Sequence, residues 1–215
     1  MSFCRQIAIL PVLALVFGVW TAGQEVIDRI VARVDDDIIL SSDILDLARY
    51  QILVDGKAQS DSEILDHLID QYIVRNEAKA AFFPEPSEQD VQHSLERLKR
   101  SFSSPEEFAE REKQAGLTDH DVLRIVKSQL YLSNYLDSRF RASINVNDQD
   151  IDDYYKTRVV PRAESRGQTP PTLEAATPYI KEVLVQRAIN VQADRWLKES
   201  RNRLQIQYFP DESSK

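Results

Sequence analysis

The stretch Val26 to Ile44, VIDRIVARVDDDIILSSDI, does most to limit what this chain can fold into. It runs from β-branched residues into three aspartates and back into branched aliphatics, then meets a serine pair and an acidic turn. Ile27, Val31 and Ala32 give the first run its apolar positions, and Asp28, Arg29 and Arg33 mark where it meets solvent. Asp35, Asp36 and Asp37 repel one another in a strand but suit a turn, where their carboxylates take nearby amides. The pattern predicts a tight hairpin returning through Ile38, Ile39 and Leu40. An aspartate triplet also suggests a divalent cation, but the spaced oxygen ligands, central glycine and closing glutamate of a calcium loop are missing, so the turn is the favoured reading.

Before this hairpin the chain carries a single charge, Arg5, then an uncharged apolar run from Ile7 to Trp20, then Thr21, Ala22 and Gly23. That order predicts a signal peptide over residues 1–23, cleaved after Gly23, and a protein exported from the cytoplasm. The run is shorter than the roughly 20 apolar residues of a membrane span. Cys4 lies inside the leader, so the mature chain is expected to be held together by packing without a disulfide. Cleavage leaves 26 basic against 35 acidic side chains, a balance that argues against a nucleic-acid partner. Only three glycines follow residue 23, which suits helices with solvated outer faces better than a many-turned sheet protein.

Capping signals divide the rest into helices. Ser42 is expected to cap a helix through Val54, with Asp43 and Asp46 in its first turn, Ile44, Leu47 and Tyr50 inward, and Asp55-Gly56 at its end. Ser60 and Glu63 form a capping box before a longer helix with the stripe Ile64, Leu65, Leu68, Ile69, Tyr72 and Ile73, expected to be the central core helix. Phe82, Phe83, Pro84 and Pro86 close it. Ser87 and Asp90 open the next helix, with Val91, Leu95, Leu98 and Phe102 inward. Ser104-Pro105-Glu106-Glu107 supplies a cap and a first-turn proline, and Gly116 a left-handed exit. Thr118 and Asp121 start a long helix carrying Val122, Ile125, Val126, Leu130, Leu132, Leu136 and Phe140. Asn147 caps a short helix ending near Lys156.

From Val160 to Thr172 the helical stripe stops and prolines and glycine appear, which reads as an exposed connector. Thr177-Pro178 is placed at the start or at a kink of the last helix, with Ile180, Leu184, Ile189, Val191, Trp196 and Leu197 inward. Residues Leu204 to Tyr208 alternate as a strand. A lone strand needs a partner for its backbone groups, so the tail is expected to pair with the hairpin and bring the two ends of the chain together. The expected fold class is mainly α, with a small N-terminal β-hairpin paired with a C-terminal strand. The same pairing made between two chains would give a swapped homodimer.

Little in the sequence points to catalysis. His67, His93 and His120 lie on three different predicted helices and no cysteine follows the leader, which argues against a metal site or a thiol nucleophile. Asp119-His120-Asp121 sits where a helix start needs acidic side chains. Carboxylate pairs such as Asp148 with Asp152, or Glu106 with Glu110, read as solvated helix faces. Phosphate loops and hydrolase motifs are absent, and no cofactor is expected. The aromatic residues Phe82, Phe83, Phe102, Phe108, Tyr131, Tyr135, Tyr154, Tyr155 and Phe209 exceed what one narrow core stripe needs. Each alone is better placed in a core; together, the first eight are the candidates for an apolar cradle.

VIDRIVARVDDDIIL followed by SSDI resembles the start of the SurA family of secreted chaperones and of related foldases such as PpiD, together with trigger-factor-like periplasmic chaperones. The resemblance continues through the helix over Asp61 to Phe83, the PSEQDV, SPEEF and TDHDVLRIVKSQL helices, the INVNDQDIDDYY segment and the QADRWLKESRNRLQIQY tail. It implies a periplasmic location and a helical chaperone domain over residues 24–158, completed by residues 172–215. It also implies clients that are unfolded secreted or outer-membrane polypeptides. Family members that isomerise prolyl bonds insert a parvulin module where this chain has only residues 159–171, far below the roughly 50 residues of an independent domain. Two other readings stay open at this point: a prolyl isomerase like those members, and an assembly factor that grips one folded partner.

Overall fold

A computed structural model describes residues 28–209, so the leader and the first two residues of the hairpin stretch, Val26 and Ile27, lie outside the described residues. The fold is mainly helical. In chain order it runs β1 (Ile30–Val34), β2 (Asp37–Leu40), α1 (Ser41–Asp55), α2 (Asp61–Ala80), α3 (Glu88–Arg100), α4 (Pro105–Ala115) and α5 (Asp119–Phe140). It continues with α6 (Asp148–Tyr154), α7 (Val160–Glu164), α8 (Leu173–Arg201) and β3 (Ile206–Tyr208).

The three strands form one antiparallel sheet in the order β2-β1-β3, so the tail pairs with the hairpin within one chain, as expected. Val34 stands opposite both Asp37 and Ile206. The turn between β1 and β2 is Asp35-Asp36, with Asp35 in the left-handed region at φ 51°. Asp35 also holds the tail: its amide donates to the Gln205 carbonyl at 2.9 Å, and the Gln205 amide donates to its carboxylate at 3.0 Å. One face of the sheet buries Ala32, Val34 and Ile39 against Ile69 and Ile73 of α2, with Trp196, Leu197, Leu204 and Ile206 from the end of the chain closing around them. Burying an aliphatic side chain of this size contributes about 1.5–3 kcal/mol.

Helix α2 carries the inward stripe read from the sequence, with Ile64, Ile69 and Ile73 buried, and it adds Val74 and Ala78. Its Ser60–Glu63 capping box forms, with the Ser60 amide 3.0 Å from the Glu63 carboxylate. Ser87, Ser104, Thr118 and Asn147 cap α3, α4, α5 and α6 as their positions predict. Gly56 and Gly116 take the left-handed exits of α1 and α4.

Four expectations change. Helix α1 starts at Ser41, not after Ser42, because its cap arrives from outside the helix. The Asp28 carboxylate accepts from the Ser42 amide at 3.1 Å, from the Ser41 hydroxyl at 2.7 Å and from the Ser42 hydroxyl, while Asp43 takes the Leu40 amide at 2.8 Å. Those hydroxyl donors hold the Asp28 carboxyl below its ordinary range.

Helix α8 begins at Leu173, capped by Thr172, which leaves Pro178 inside it; near an exposed N-terminal end the missing amide costs one hydrogen bond and little packing. Val191, expected inward, is 59% exposed, because α8 turns that face away from both α5 and the sheet.

The stretch read as a connector is helical through Glu164. Helix α6 passes without a break through one wide π turn, Tyr155–Val159, into α7. Pro161 explains the wide turn: it lacks an amide and its ring would crowd the carbonyl one α turn back. Gly167, at φ 63°, then ends the arm. This arm packs on α8 through Ile151, Ala176 and Ile180, with Tyr154, Tyr155 and Leu184 alongside.

Candidate functional site

The eight aromatic residues proposed as a cradle do not share one surface. Phe83, Tyr131 and Tyr135 pack together between α2 and α5, with Phe83 ring centroids 5.9 Å from Tyr131 and 5.5 Å from Tyr135. Both tyrosines are buried there. Tyr154 and Tyr155 belong to the contact of the α6–α7 arm with α8, where the Tyr155 hydroxyl donates to the Pro171 carbonyl at 2.7 Å. Phe108 is buried in the cluster of α1, α4 and α5, so it, Tyr131 and Tyr135 are core residues rather than a surface for clients. Pattern alone could not separate them, since an inward aromatic and an exposed one can occupy equivalent helix positions.

Phe82 is the exception. It is 93% exposed and its backbone lies at φ 52°, a conformation that a bulky side chain seldom takes. The cause is local. The Phe82 amide donates to the Lys79 carbonyl at 3.0 Å and the Phe83 amide to the Ala78 carbonyl at 2.9 Å, the double bond pattern that ends a helix on a left-handed residue. Phe83 completes it by packing with Ala78. Glycine satisfies this geometry at no steric cost, yet the position holds a phenylalanine directed into solvent.

A second feature is the cleft between α3 and α4, with a volume near 770 Å³. Phe102 forms its apolar floor, backed by the buried Phe108, with ring centroids 5.2 Å apart and planes at 83°. Cations stand over both rings, Lys99 at 5.0 Å from Phe108 and Arg111 at 5.5 Å from Phe102. Lys99 also pairs with Asp119 at 3.3 Å on the rim. Ser104 and Pro105 shape the entrance by starting α4, with the Glu107 amide donating to Ser104. Glu112 lines the cleft with one carboxylate oxygen buried and unpartnered, and burial, with Asp119 beside it, pushes its pKa up. Sequence reasoning missed Lys99, Arg111 and Glu112. Their spacing from Phe102 and Phe108 along two adjoining helices was the available signal.

The arrangement offers aromatic surface and ion-paired edges but no assembled catalytic group. His67, His93 and His120 are exposed on α2, α3 and α5. Asp121 serves the Thr118 cap at 3.0 Å and is held below its ordinary pKa by it. No group of three or more metal-ligating side chains forms among the described residues. Among the same residues, no helix is long and apolar enough to cross a membrane. Compared with known proteins, the chain matches no family model, and no curated protein matches it.

Proposed function

We propose that this protein is a periplasmic, ATP-independent chaperone of the SurA type that binds unfolded secreted or outer-membrane polypeptides by weak apolar contacts. Phe82 carries the reading: a phenylalanine held almost wholly in solvent, in a backbone conformation where glycine costs less, has a use that stability does not explain. The α3–α4 cleft adds a place where an apolar client side chain meets Phe102 while its backbone meets the polar rim. Lys99, paired with Asp119, and Arg111, paired with Glu107 at 2.9 Å, keep the free protein from associating through that floor. The hairpin-to-helix motif supports the same class by its resemblance to SurA. The interval that holds a parvulin module in the isomerising members is filled here by the end of the π turn, α7 and the Gly167 turn, which gives the isomerase reading no support.

The test is light scattering of a denatured porin diluted into buffer with an equal molarity of the mature protein. Suppressed aggregation that weakens in Phe82→Ser and Phe102→Ser supports the proposal. Aggregation that proceeds unchanged beside the wild-type protein removes it.

A further inference from the structure

The chain carries 35 acidic side chains against 27 basic ones, yet one groove departs from that balance completely. It lies between the α6–α7 arm and α8 and encloses about 780 Å³. Arg158, Arg162 and Arg166 line it from the arm, Arg187 lines it from α8, and Tyr154 and Tyr179 form its apolar walls. No aspartate or glutamate is among the lining residues. All four arginines are exposed, and none of them makes an ion pair among the described residues. Arginines with a structural task behave otherwise here: Arg141 binds Asp137 and Glu182, and Arg201 binds Asp66 and Asp70. Arg187 is instead held over the Tyr154 ring at 4.9 Å, which fixes its guanidinium at the groove wall without neutralising it.

Charge selects the occupant. Arg158 lies in the π turn, Arg162 in α7 and Arg166 in the turn that follows it, and the groove they line with Arg187 holds no carboxylate. We propose that this groove binds extended acidic polypeptide segments. Each arginine fork matches a carboxylate in bidentate geometry, and Tyr154 and Tyr179 pack against the intervening apolar residues. A concave groove excludes a flat anionic bilayer, and the formal charge of −8 repels a long polyanion such as nucleic acid, while a short acidic run sits wholly within the groove. The choice of occupant rests on the reading of the protein as a polypeptide binder, and it deepens that reading.

The experiment is fluorescence anisotropy with the mature protein and a labelled ten-residue peptide carrying glutamate at every second position and valine between. The glutamate peptide is expected to bind at least about tenfold more tightly than its glutamine counterpart, and to weaken between 50 and 300 mM NaCl, as charged contacts between partners do. R158E/R162E should abolish that preference and the milder R158Q/R162Q should reduce it by about tenfold. Both positions are exposed, and circular dichroism checks that each variant keeps its helices. Equal binding of the two peptides, an unchanged double variant, or retention by phosphatidylglycerol vesicles in place of the peptide overturns the inference. Porin light scattering on the same samples separates the two proposals. Suppressed aggregation without peptide preference leaves the chaperone reading and removes the groove; the converse leaves the groove and removes the chaperone reading.

Discussion

Arg201, at the last position of α8, donates from Nε to the Asp70 carboxylate of α2 at 2.7 Å, across 131 residues of sequence. The same guanidinium reaches the Asp66 carboxylate at 2.8 Å and the Asp66 backbone carbonyl. It thus fastens the end of α8 to the helix beneath the sheet, five residues before β3 pairs with β1.

Replacing Arg201 with alanine leaves two aspartates facing each other and frees the start of the tail. Charge-assisted bonds on partly buried groups, discounted for solvent screening, place the loss at about 1–2 kcal/mol. A thermal melt should fall by about 2–8 °C on the scale of a domain this size, and lysine at this position should recover only part of the loss. An unchanged melt would mean that the sheet holds the tail unaided.

Phe82→Gly should make the protein more stable and a poorer binder at once. Relief of the left-handed strain, partly offset by the greater freedom of glycine in the unfolded chain, is expected to add about 0.5–1 kcal/mol in urea denaturation. Suppression of porin aggregation should decline in the same variant. A destabilised glycine variant contradicts the backbone account given above.

Glu182 accepts from Arg141 at 2.8 and 3.0 Å, and those bonds, with Gln186, hold its pKa at about 2 against an ordinary 4.5. A carboxyl whose folded pKa lies below its unfolded value stabilises the fold above the unfolded value and loses that contribution as pH falls through the folded one. The melting temperature of the wild-type protein should therefore exceed that of Glu182→Gln at pH 7. The gap should shrink below pH 4.5 and close near pH 2. A gap independent of pH would assign the difference to something other than this carboxylate.

Ile69 is fully buried between α2 and the sheet. Ile69→Ala should cost about 2–5 kcal/mol, measured as a lower urea midpoint with an unchanged slope. A loss below that range would show that the sheet slides to refill the space, which the pairing of Val34 with both Asp37 and Ile206 opposes.

Much of the fold was readable because the deciding interactions are local. The caps at Ser60, Ser87, Ser104, Thr118 and Asn147 each join residues three positions apart, so spacing alone locates them. The Asp35-Asp36 turn and the return through Ile39 follow from alternation and charge within nine residues. The pairing of tail and hairpin followed from a general demand, that an isolated strand must satisfy its backbone.

The candidate sites were less readable. Phe82 and Phe83 are neighbours in a helix-ending pair, yet one is almost wholly exposed and the other packs on Tyr131 and Tyr135. The fourfold spacing of Arg158, Arg162 and Arg166 was visible, but a segment read as a loop gives that spacing no meaning. The π turn, α7 and the turn after it together bring the three to one wall of the groove.

The sequence by itself determined the caps of α2 to α6 and that a β-hairpin opens the described chain, since those choices are settled by contacts within a few residues; the starts of α1 and α8 and the run of α6 into α7 were not among them. Tertiary structure alone decided which aromatic rings are core, that Asp28 caps α1 from thirteen residues upstream of Ser41, and that α8 meets α2 through Arg201. Those outcomes depend on which distant surfaces exclude water together, and a one-dimensional pattern records what each surface is but not what it meets.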